Sequence, residues 1–96
     1  MTTNKLKQLF ESDDDYDSLS FDKIENKRSK RADLHAFLLL DELVPDTTNM
    51  VTAGEHDQIF LEVNIEDLAK VINEDQVFEL KRCGVFVDEY GLSMFV

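Results

Sequence analysis

From Ala32 to Val44 the chain is apolar at Leu34, Phe37, Leu38, Leu39, Leu40 and Leu43. Wound as a helix, these positions cover more than half the circumference, which predicts a helix central to a core or an interface. Pro45 ends it, because the residue before a proline is pushed out of the α region. Asp46–Gly54 is polar and predicts a loop, with at most a short turn around Met50 and Val51. Gln58–Val63 is rich in β-formers and predicts a strand. Asn64 then stands where an N-cap belongs, with Asp67 three residues on, and predicts a helix over Ile65–Ile72. Asn73-Glu74-Asp75-Gln76 repeats the pattern and opens a helix over Glu74–Cys83. Gly84 is placed to end that helix in the left-handed region. Val85–Val87 and Leu92–Val96 read as a hairpin joined by a four-residue loop, Asp88–Gly91.

The N-terminal part reads differently. Leu6, Leu9 and Phe10 share helical spacing, so Lys5–Glu11 predicts a turn or two of helix. Asp13-Asp14-Asp15 should stop it, since adjacent like charges repel and Asp is a poor helix former. Leu19, Phe21 and Ile24 are too sparse for a core stripe. The expectation is a flexible or weakly helical charged tail over residues 1–28 and a single α+β domain over 29–96. That domain would hold a small three-stranded, mostly antiparallel sheet packed by about three helices.

Charge sharpens the division. The 96 residues carry a net −11, with 21 acids against 10 bases. Through Arg31 acids and bases balance. The rest opposes its acids only with Lys70, Lys81 and Arg82, so all the excess lies there. Such a body favours a protein partner with a basic surface and opposes direct contact with nucleic acid or an anionic membrane. At 43% hydrophobic the chain is too apolar for wholesale disorder. Its longest apolar run, Ala36–Leu40, is far short of a membrane span, and no apolar segment follows Met1 as a leader would need. The expected location is the cytoplasm. Self-association stays open.

Few residues suggest chemistry. Glu55-His56-Asp57 is the densest ligand-type cluster and the basis of a rival reading as a small metal-dependent enzyme. Adjacent residues rarely aim at one ion, and His35 lies far off on the apolar helix. Cys83 sits beside Arg82, which would lower its pKa, and at a helix C-terminus, which would raise it. No general base to activate it is identifiable. Gly54, Gly84 and Gly91 are scattered singly, so no phosphate-cradling loop can form. The expectation is a non-enzymatic protein with no metal and no cofactor. Lys27–Arg31 reads as a solvated helix start.

The acids recur as doublets. Glu66-Asp67 and Glu74-Asp75 fall in first turns of helices, where they complement the helix dipole. Asp41-Glu42 and Asp88-Glu89 are free of that duty and are the candidate partner-binding residues. Tyr90 joins them as an aromatic anchor on the hairpin loop. A narrower alternative makes the acids a mimic of the DNA phosphate array, inhibiting a nucleic-acid-binding host-defence enzyme.

Several segments carry a resemblance: His56–Leu61, Asn64–Ala69, Leu80–Val85 and Leu92–Val96. Together they resemble small acidic uncharacterised proteins of tailed phages, over roughly residues 31–96. The resemblance implies a phage accessory protein that acts inside a bacterium and modulates a host or phage protein. It implies no activity and no site residue.

Overall fold

The computed structural model describes residues 1–12 and 20–95. In chain order these form α1 (Thr3–Glu11), one 3₁₀ turn (Phe21–Lys23), α2 (Ala32–Leu43), β1 (Val51–Glu55), β2 (Gln58–Leu61), α3 (Ile65–Val71), α4 (Glu74–Arg82), β3 (Val85–Asp88) and β4 (Gly91–Phe95). The class is α+β, as expected. The described residues hold four α-helices rather than about three, and a four-stranded antiparallel sheet rather than three strands.

Local signals set the middle of the chain. The Asn64 side chain accepts from the Glu66 and Asp67 N–H groups at 2.8 and 3.1 Å, starting α3. Asn73 accepts from Gln76 N at 2.8 Å, and Gln76 Oε1 accepts from Asn73 N at 3.0 Å. That reciprocal box starts α4. Gly84 ends α4 at φ +93°, a conformation that disfavours any side chain.

The strand order is β1-β2-β4-β3, so β4 lies between two neighbours. Ile59 faces Met94, which faces Val85, while Leu92 faces Val87. These residues, with Leu61, form the sheet's core face against the helices. Leu39, Leu40, Leu68, Val77 and Leu80 are at most 1% exposed on the helix side. The other sheet face carries Gln58, Phe60, Phe86, Asp88, Ser93 and Phe95, by the same register.

Three expectations are corrected. Val51–Glu55 is a strand, not part of a loop. It is exposed throughout and so has no inward–outward alternation to read. Pairing with β2 makes it a strand, through a turn at His56-Asp57 in which His56 takes φ +43°. The β3–β4 connection is two residues, because Asp88 already pairs with Gly91.

The third correction concerns residues 1–28, read as a tail outside the core. Leu6 is 0% exposed, and Leu9, Phe10 and Ile24 are also buried. α1 packs on α3, α4 and β3. Its last carbonyl groups are held by Lys81, whose Nζ donates to Leu9 O at 2.9 Å and Ser12 O at 3.2 Å. The Met1 ammonium donates to Ala69 O at 2.8 Å. The basic segment is also engaged. Arg28 N–H donates to His35 Nδ1 at 3.0 Å, and its guanidinium meets Glu42 at 2.6 Å. The expected helix stop at Asp13–Asp15 lies outside the described residues.

α2 is not uniformly buried. His35, Ala36, Leu39 and Leu40 face inward, while Leu34 and Leu38 remain exposed.

Candidate functional site

The sheet has a peculiar charge. From Val51 to Leu61 and from Val85 to Phe95 there is no Lys or Arg, but Glu55, Asp57, Asp88 and Glu89 are present. Every base of the protein belongs to the helices or the segment before α2. The second sheet face therefore combines carboxylates with aromatic rings and has no internal cation to neutralise them.

Its geometry follows from the register. Phe86 and Phe95 stack with centroids 4.3 Å apart. Phe60 and Tyr90 meet edge to face at 6.1 Å, with an interplanar angle of 82°. Gln58 Nε2 donates to Asp88 Oδ2 at 2.9 Å although β4 lies between their strands. The two side chains thus bridge over the intervening strand on this face. Ser93 lies on the intervening strand, 0% exposed, and its Oγ donates to the same Asp88 oxygen at 3.3 Å.

The expected hairpin-tip residues divide into different jobs. Asp88 is half-buried and engaged. Besides Gln58 and Ser93, its Oδ1 accepts from Tyr90 N at 2.8 Å, which fixes the turn. Its carboxylate holds the backbone at Tyr90. Glu89 is exposed, and Tyr90 is 79% exposed. A cleft of about 350 Å³ opens beside Tyr90, lined also by Phe60, Glu55, Leu61 and Leu92.

Asp41 and Glu42 lie elsewhere, near the end of α2. Asp41 is exposed. Glu42 is the ion-pair partner of Arg28 and helps hold the preceding segment. The structure does not bring this doublet to the sheet face. Glu66, Asp67, Glu74 and Asp75 occupy first turns of helices, as the sequence predicts.

The chemical candidates separate as well. Glu55 and Asp57 flank His56 in the β1–β2 hairpin, and all three are exposed. Among the described residues no three His, Cys, Asp or Glu side chains converge to hold a metal ion. The other histidine is fully buried. Because His35 Nδ1 accepts from Arg28, its Nε2 carries the proton in the neutral ring. That Nε2 points 3.5 Å from Glu79 Oε1 without a hydrogen bond.

Cys83 lies one turn past Glu79. Burial, and secondarily the Glu79 charge, push its thiol from 9.0 up to about 12. A thiol so shifted is almost wholly protonated at neutral pH and is a poor nucleophile. The folded state holds this proton more tightly than the unfolded chain. The resulting stabilisation is complete below about pH 9 and is lost as pH rises toward about 12. The native protein should therefore react with a thiol reagent at pH 8 at least tenfold more slowly than the urea-denatured chain. Equal rates would contradict the buried thiol.

Phe60, Phe86 and Phe95 are the face's rings that the sequence does not single out, and Glu55 stands out there only as part of the Glu55-His56-Asp57 cluster. The signal of the rings is the two-residue alternation of Gln58/Phe60, Phe86/Asp88 and Ser93/Phe95. It identifies a second face only once the core face is known. No helix among the described residues is long and apolar enough to cross a membrane. Compared with known proteins, the chain matches no family model, no curated protein and no solved structure.

Proposed function

We propose that this is a non-enzymatic interaction module that docks a basic protein surface on the second face of its sheet. One observation carries the reading: a sheet face with four aromatic rings and neighbouring carboxylates, on strands that contain no base. Aromatic anchors supply contact area at an interface, and unbalanced acids steer a cationic partner. Phe95 is 57% exposed despite its stacking on Phe86, and Tyr90 is freer still. Large exposed rings of this kind mark interaction surfaces. The resemblance to small acidic phage proteins would set the encounter in the cytoplasm of a bacterial host.

The narrower reading, a DNA mimic, has less in its favour. A mimic needs rows of free carboxylates. Asp88 is bonded within the sheet, Glu42 is paired with Arg28, and two doublets serve helix starts.

The test is capture from a bacterial lysate by immobilised wild type and by a face variant carrying Glu89→Lys and Phe95→Ser. Both positions are exposed, so the fold should survive. Basic proteins should be retained by the wild type, released over a roughly tenfold rise in salt, and lost on the variant. Equal retention by the variant would sink the proposal. Release of the captured protein by duplex DNA would instead favour mimicry.

A further inference from the structure

We infer that the cleft at the corner of this face is an arginine pocket: it takes one guanidinium of the basic partner between Tyr90, Phe60 and Glu55. The inference rests on the docking surface just proposed and assigns its specificity. The cleft measures about 350 Å³, ample for one long side chain. Two of its walls are aromatic rings, Phe60 and Tyr90, held at 82° to each other. A cation over a ring face is attracted by the ring's quadrupole. Glu55 supplies the carboxylate, and it too lines the cleft.

Arginine fits this set better than lysine. A planar guanidinium stacks on an aromatic face while donating to a carboxylate at its edge. It is also less strongly hydrated than an ammonium, so it enters an aromatic cleft more readily. The protein supplies no competitor from these strands, because they contain neither Lys nor Arg. The pocket is preorganised as well. Asp88 fixes the turn through Tyr90 N at 2.8 Å and is itself anchored by Gln58 at 2.9 Å. Tyr90 can therefore be 79% exposed and still stand in a defined place.

The experiment is an NMR titration of the whole protein with a blocked Gly-Gly-Arg-Gly-Gly peptide, beside its lysine counterpart. Saturable amide shifts are expected to concentrate at Glu55, Phe60, Tyr90 and Leu92, with the lysine peptide binding more weakly. Tyr90→Ala and Glu55→Gln should each weaken the arginine peptide about fivefold, which corresponds to about 1 kcal/mol of cation–π or ion-pair energy. Both residues are exposed and outside the core, and a native spectrum of each variant would show that the fold is kept. Three results overturn the pocket: no saturable shifts, shifts centred instead on Glu66, Asp67, Glu74 and Asp75, or unchanged affinity in both variants. Any of these leaves the docking surface to be judged by its own capture test, because Glu89 and Phe95 do not line the cleft.

Discussion

Removing residues 1–11 should unfold the protein. The deletion takes away Leu6, Leu9 and Phe10, at 0%, 8% and 7% exposure. Burying such side chains stabilises by about 1.5–3 kcal/mol each, hence roughly 5–9 kcal/mol together. A domain of this size has only about 5–15 kcal/mol in total. The loss goes further, because the partners of α1 would be uncovered on α3, α4 and β3. Lys81 would also lose Leu9 O as an acceptor. A thermal melt should show no cooperative transition, or one lowered by tens of degrees. A truncated protein that melts near the wild-type temperature would mean that α1 is ornamental. A milder probe is Leu6→Ala, which should cost about 2–5 kcal/mol through the cavity it leaves.

Truncation after Ser93 should be nearly as damaging, for a topological reason. β2 pairs with β4 at three positions: Gln58↔Phe95, Ile59↔Met94 and Phe60↔Ser93. Two of the three vanish with Met94 and Phe95. The β1–β2 hairpin then keeps a single register pair to the rest of the sheet. Met94, 2% exposed, takes its own burial with it, and Phe95 N–H no longer reaches Gly84 O. The stacked pair with Phe86 adds about 0.5–1.5 kcal/mol. The truncated protein should be insoluble, or show collapsed amide dispersion over residues 51–61. Well-dispersed native shifts there would contradict the strand order.

Where the sequence spoke locally, it was legible. Asn64, Asn73 and Gly84 each act within a few residues of themselves, and each stands at the helix end its residue type predicts. The β3–β4 hairpin is local too and differs only in how far its strands run. What could not be read depends on partners distant in the chain. Leu6, Leu9 and Phe10 are three apolar residues among polar ones, too few to announce a core helix. Their burial comes from elements some 55–85 positions later. β1 has Thr52, Ala53 and Gly54 in place of strong strand formers, and it is held by β2. The candidate site was half visible. Tyr90 and Glu89 stood out as residues of a turn. The aromatic face did not, because Phe60, Phe86 and Phe95 come from three strands and look like core residues until the sheet has an inside.

The seat of α1 bears on how quickly the chain can find its fold. Lys81 and Leu9 are separated by 72 residues, and Met1 and Ala69 by 68. Contacts of such span are closed only after a large loop has lost its freedom, and chains that depend on them fold slowly for their size. On a ribosome, α1 is synthesised before α3, α4 and β3, so it must wait without a partner. For that interval Leu6, Leu9 and Phe10 are uncovered and available to a chaperone or to another nascent chain.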